Sequence, residues 1–144
     1  MSEIKVDTLT GKTTANDITV TVGASATMSL EQGLCKTWIK YTDHNATLAV
    51  ADDLNVSSIA DTDTGKVTVN FANNMSSIDF CFHVTAHDMA SRILGYSGYI
   101  ADETSTYITT SKLLVWTGYA NNTNGGIGTV DSDIAMVTIH GDLA

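Results

Sequence analysis

His83 and His87 stand four residues apart with Asp88 beside the second. On a helix that spacing puts two imidazoles on one face, as zinc sites require. The surrounding Phe80-Cys81-Phe82-His83-Val84 alternates like a strand, however. A strand sets the two rings on one face but about 13 Å apart, and no third ligand stands nearby. Asp61-Thr62-Asp63-Thr64-Gly65 opens like a calcium loop. The position that should supply its closing bidentate glutamate is Ala72, so the segment reads as a hairpin turn. Asp131-Ser132-Asp133 is a weaker version of the same pattern. Asp52-Asp53 is an acidic doublet, and in a strand its carboxylates face opposite sides. Glutamate occurs only at Glu3, Glu31 and Glu103, so a glycosidase pair would draw mostly on aspartate. There is no glycine-rich phosphate loop and no nucleophile elbow, and His140-Gly141-Asp142 has no nucleophile beside it. The expectation is a chain without catalytic residues, metal or cofactor.

The composition narrows the partners. The formal net charge is -9 with only 7 Lys and Arg, which lacks the basic footprint that phosphate binding requires. Nucleic acid and an anionic membrane surface are therefore excluded as expected partners. No apolar run approaches the ~20 residues of a membrane-spanning helix. Met1-Ser2-Glu3-Ile4-Lys5 lacks the basic and apolar regions of a signal peptide, so a soluble protein made in a cytoplasm is expected. Cys35 and Cys81 then read as reduced, small buried hydrophobes.

The elements that must position these residues are strands. The 144 residues suit one domain with a short appended segment. Charged residues make up 16%, so the polar surface falls to Thr, Ser and Asn, and threonine fits a pleated surface better than a helix. With 0 prolines, turns must be built from Gly, Asn, Asp and Ser. Ile18, Val20 and Val22 share one face; so do Val67, Val69 and Phe71, and Phe80, Phe82 and Val84. Ile134 and Met136, interleaved with Val137 and Ile139, read as a last strand buried on both faces. Asp61–Gly65 reads as a five-residue hairpin loop, and Asn121–Gly126 as the strongest turn. Strand spacing of roughly ten residues predicts an antiparallel β-sandwich or jelly-roll-like domain. Asp88 to Leu94 could form two helical turns, and Ser29 to Leu34 a single one.

The opening residues differ. Ile4, Val6, Leu9, Ile18, Val20 and Val22 are spread thinly among Thr, Lys, Gly and Ala. Such a ribbon buries too little apolar area to offset an ordering entropy of about 1–2 kcal/mol per backbone residue. It must lean on the main domain or on copies of itself. The division expected is an N-terminal β-ribbon at 1–24, serving attachment and trimerisation, and a β-sandwich domain at 25–144. The six apolar residues of the ribbon are the expected trimer contacts.

Glu3-Ile4-Lys5-Val6-Asp7-Thr8-Leu9-Thr10-Gly11-Lys12-Thr13, followed by the strand Ile18-Thr19-Val20-Thr21-Val22, resembles a segment recurrent in tail fibre proteins of marine tailed bacteriophages. Gln32-Gly33-Leu34-Cys35-Lys36-Thr37-Trp38-Ile39, Leu54-Asn55-Val56-Ser57-Ser58-Ile59, Thr64 to Phe71 and Asn74-Met75 extend the resemblance over the first half. It implies a trimeric β-structure on a virion, without catalytic residues, assembled in a host cytoplasm beside other virion structural proteins. The role implied is a tail fibre tip or short fibre in host attachment. A capsid decoration or head fibre is the alternative, and a cellular carbohydrate-binding or surface-layer module is a second one.

The unmatched half concentrates the aromatic residues Tyr96, Tyr99, Tyr107, Trp116 and Tyr119. Exposed rings with Asn, Asp and Thr neighbours suit a host cell-surface glycan or protein. The expected contacts are Tyr96, Tyr99 and Tyr119 with Asn121, Asn122 and Asn124, while Trp116 within Leu113-Leu114-Val115-Trp116 reads as core.

Overall fold

In the computed structural model, residues 5–10, 18–22, 25–43, 47–87, 107–121 and 126–144 are described. The chain divides into two units, Met1–Leu34 and Cys35–Ala144.

In the first unit β1 (Thr19–Val22) pairs antiparallel with β2 (Ala26–Ser29), Val20 facing Met28. One helical turn, α1 (Leu30–Gly33), follows, and the Leu30 N–H donates to the Ile18 carbonyl at 2.7 Å. The expected single turn at Ser29 to Leu34 is therefore present, whereas the one at Asp88 to Leu94 lies outside the described residues. Residues 5–10 carry no strand, so β1 takes its partner from downstream rather than from the opening stretch. The division accordingly falls at 34/35 and not at 24/25, because β2 and α1 go with β1. No described side chain of either strand is fully buried. A two-stranded sheet of that kind is marginal in water.

The second unit runs β3 (Thr37–Thr42), β4 (Ala49–Leu54), β5 (Val56–Asp63), β6 (Lys66–Phe71), β7 (Cys81–His87), β8 (Ile108–Thr109), β9 (Lys112–Trp116), β10 (Gly118–Asn121), β11 (Gly126–Thr129) and β12 (Ile134–His140). Two four-stranded antiparallel sheets form, β4-β3-β12-β7 and β5-β6-β9-β8, and β10 pairs with β11 as a separate hairpin. Strict alternation builds one core between the two sheets. Val67, Val69 and Phe71 from β6 and Leu113 and Val115 from β9 meet Ile39 and Tyr41 from β3, Val84 and Ala86 from β7, and Ala135, Val137 and Ile139 from β12. This is the β-sandwich arrangement. Each of the large aliphatic side chains contributes about 1.5–3 kcal/mol by leaving water. Phe80 closes one edge, edge-to-face on Phe71 at 5.9 Å and 77°.

Three readings change. β12 is buried on one face only: Met136 is 44% exposed, because its neighbours Ala135 and Val137 take the inner positions. Cys35 and Cys81 are both free, and Cys81 is exposed on the outer face of β7 rather than buried. The turn after β5 is Thr64-Gly65 alone, since pairing continues to Asp63 opposite Lys66 after a register shift. Gly65 sits at φ 67°, and a Cβ there would lie 2.5 Å from the Thr117 carbonyl oxygen, so only glycine fits.

Between β4 and β5 the chain passes from one sheet to the other through a single residue. Leu54 ends β4 and Val56 starts β5, so Asn55 makes the crossing, at φ 60°. Asparagine is enriched in that left-handed region. Its Nδ2 donates to Thr37 Oγ1 and to the Asn73 carbonyl, both at 3.1 Å. Its Oδ1 accepts from the Asn73 N–H at 2.7 Å and from Asn73 Nδ2 at 3.0 Å. One carboxamide thus ties β3 of the first sheet to the segment leaving β6 of the second. Replacing Asn55 with Ala should lower unfolding free energy by about 2–4 kcal/mol, since several hydrogen bonds are lost at a strained φ. Asn55→Gly, which tolerates the backbone, should cost less. Urea denaturation measures both, and an Asn55→Ala midpoint equal to that of the unsubstituted protein would remove this residue from the account.

Candidate functional site

The outer face of the β5-β6-β9-β8 sheet carries a groove of about 310 Å³. Alternation that buries Leu113 and Val115 turns Lys112, Leu114 and Trp116 outward. On β6 the same rule turns Lys66, Thr68 and Asn70 outward. Register sets Lys66 opposite Trp116, Thr68 opposite Leu114 and Asn70 opposite Lys112. Tyr107 joins the face because the Leu114 N–H donates to its carbonyl at 2.8 Å. The Tyr107 and Trp116 rings meet edge-to-face at 6.2 Å and 78°. Lys66 Nζ lies 4.7 Å from the centre of the Trp116 ring and 2.7 Å from Asp63 Oδ2. The Lys66 hydrogen bond, then the Thr64 N–H, hold the Asp63 carboxyl below the usual carboxylate range, so it stays ionised near neutrality.

The groove sets an aromatic wall beside hydroxyls, a carboxylate and two ammonium groups. The rings offer an apolar surface to C–H groups, while Thr62, Asp63, Lys66 and Thr68 offer donors and acceptors to hydroxyls. Carboxylate-pair hydrolysis needs a second carboxylate roughly 5–10 Å from the first. Asp63 is the single carboxylate among the described residues lining the groove.

Trp116 was expected in the core and stands half-buried on the outer face instead. Its run of four apolar residues resembles a core segment, but only Leu113 and Val115 point inward. The pattern Lys112-x-Leu114-x-Trp116 is the signal that locates it. Tyr119 and Asn121 lie on β10, and Tyr119 is outside the groove lining. Tyr119 faces Gly128, where a Cβ would come within 2.7 Å of its ring, so the ring lies across the bare glycine backbone. Tyr96, Tyr99, Asn122 and Asn124 lie outside the described residues, as does Ile4. Val6 and Leu9 are 56% and 62% exposed, Val20 is exposed, Ile18 is half-buried, and Val22 stands on β1. His83 and His87 share the outer face of β7, with His83 Nε2 3.2 Å from Thr85 Oγ1. Among the described residues no three His, Cys, Asp or Glu side chains are placed to hold a metal ion.

A second polar cluster has no signal in the sequence. Asp43 is buried at the end of β3, and its N–H donates to the Ser132 carbonyl at 3.0 Å. Both Asp43 carboxylate oxygens, Ser132 Oγ and the Tyr41 hydroxyl are buried without a hydrogen-bond partner. Burial first, then the charges of Asp61 and Asp131, push the Asp43 carboxyl up to about 6. Burial and the Asp43 charge raise Tyr41 as well. Asp131 Oδ1 accepts the Gly65 N–H at 2.6 Å, while Thr117 donates from N to the Gly65 carbonyl at 2.8 Å and from Oγ1 to the Val130 carbonyl at 2.7 Å. The root of the β10–β11 hairpin is thereby fastened to the β5–β6 turn.

No protein-family model, no curated protein and no solved structure matches the chain.

The buried carboxyl has a measurable consequence. Its folded pKa of about 6 exceeds its ordinary 3.8, so between those values the folded state holds the proton more tightly. Its contribution is present in full below about pH 4 and is lost as pH rises through about 6. Asp43→Asn should therefore be more stable than the unsubstituted protein at pH 7.5, and the gap should close toward pH 4.5. Urea midpoints at the two pH values check this, and parallel pH profiles would contradict it.

Proposed function

We propose that the chain is a non-enzymatic recognition module that contacts a host cell-surface glycan, working as a homotrimeric virion appendage, a tail fibre tip or short fibre. The observation that carries the recognition step is the groove beside Tyr107 and Trp116, with its threonines, Asp63 and two lysines on the outer face of a rigid sheet. The virion setting rests on the resemblance of the opening half to tail fibre proteins of marine phages. The trimer is supported by the first unit, where Val6, Leu9, Val20 and Met28 are 56%, 62%, 36% and 48% exposed in the single chain. Exposed apolar side chains on a coreless hairpin call for cover, and sister copies around one axis supply it while also covering strand edges. Three copies of a weak site gain avidity through effective concentration.

Three chains carry about -27 charges at neutral pH, which opposes approach to an anionic cell surface. At marine ionic strength the screening length falls to a few ångströms, so the repulsion acts only at contact. A cellular carbohydrate-binding module is the second reading favoured by the groove, and it differs in needing no assembly.

Native mass spectrometry should give a species near 46 kDa from the 15.3 kDa chain. Trp116→Ala should keep that mass and lose binding to glycan arrays and host cells. A monomer that binds glycans would shift the assignment to the cellular module. Unchanged binding in Trp116→Ala would remove the groove from function.

A further inference from the structure

We infer that the sugar taken by this groove is anionic, with its acidic group received by Lys112 at the end away from Trp116. The inference rests on the reading of the groove as a glycan site and specifies its ligand. The chain has 7 basic residues against 16 acidic ones, yet two of the seven, Lys66 and Lys112, line the same groove. They are not equivalent. Lys66 is held by Asp63 at 2.7 Å and by the Trp116 ring at 4.7 Å, so its charge is already answered and it forms part of the wall. Lys112 is half-buried, and among the described residues no carboxylate pairs with it. An ammonium without a carboxylate partner can donate a charge-assisted hydrogen bond to an incoming anion.

The register fixes the span. Lys66 faces Trp116, and Lys112 faces Asn70, four residues further along β6. At about 3.3 Å per residue the backbone positions of the aromatic end and of Lys112 lie about 13 Å apart. Thr68 and Leu114 occupy the floor between them. That length suits a short oligosaccharide rather than one ring, with C–H faces against Tyr107 and Trp116 and a carboxylate or sulfate at Lys112.

Calorimetry on the full chain with trigalacturonate and with its methyl ester tests this, because the two share a skeleton and differ in charge. The acid should bind about tenfold tighter than the ester, the difference expected of one charge-assisted hydrogen bond. Lys112→Gln should remove that preference, bringing the acid and the ester to similar affinity. Trp116→Ala should weaken both ligands. Equal binding of acid and ester, or a preference that survives in Lys112→Gln, overturns the anionic assignment and leaves the groove a neutral-glycan site. Failure of both ligands to bind, or binding indifferent to Trp116→Ala, overturns the anionic assignment together with the glycan reading.

Discussion

The sandwich depends on a crossing made within one residue. β4 and β5 belong to different sheets, yet only Asn55 separates them, so the backbone bends from one sheet into the other at a left-handed residue whose carboxamide and carbonyl are hydrogen-bonded. An Asn side chain meets both demands, since it tolerates positive φ and carries a donor and an acceptor on one planar group. With the crossing fixed, β3 and β6 are held at a set separation, and the inward side chains of both sheets interdigitate as one core. The outward face of β6 and β9, and hence the groove, inherits its rigidity from that arrangement.

Much of the fold was legible because the period-two rule is local. Val67, Val69 and Phe71, or Val84 and its neighbours on β7, declare their face within five residues. The same rule was read too loosely in apolar runs. Leu113-Leu114-Val115-Trp116 and the β12 segment looked buried on both sides, whereas alternation left Leu114, Trp116 and Met136 facing outward. Long-range features stayed hidden for a physical reason. That Asp43, Ser132, Asp61 and Asp131 share one end of the sandwich follows from strand order, which no spacing along the chain encodes. The groove is of the same kind: Tyr107, Lys66 and Trp116 come from three segments brought together by register.

The two units differ in how they are stabilised. The described residues from 35 onward fold around a shared core, while the described side chains of the β1–β2 hairpin form none. Its threonines satisfy the backbone's preference for an extended chain, but they contribute little apolar burial. The first unit is thus the part of the chain whose order is most sensitive to neighbours, and the second is the part able to present a site of fixed geometry.

The β10–β11 hairpin has one further consequence. Its two legs run into strands of different sheets, β9 on one side and β12 on the other, and its root is clamped by Thr117, Val130 and the Gly65 turn. Gly65 sits between the two legs, where a Cβ would come within 2.5 Å of the Thr117 carbonyl oxygen and 2.7 Å of the Val130 nitrogen, so any other residue there would prise the legs apart.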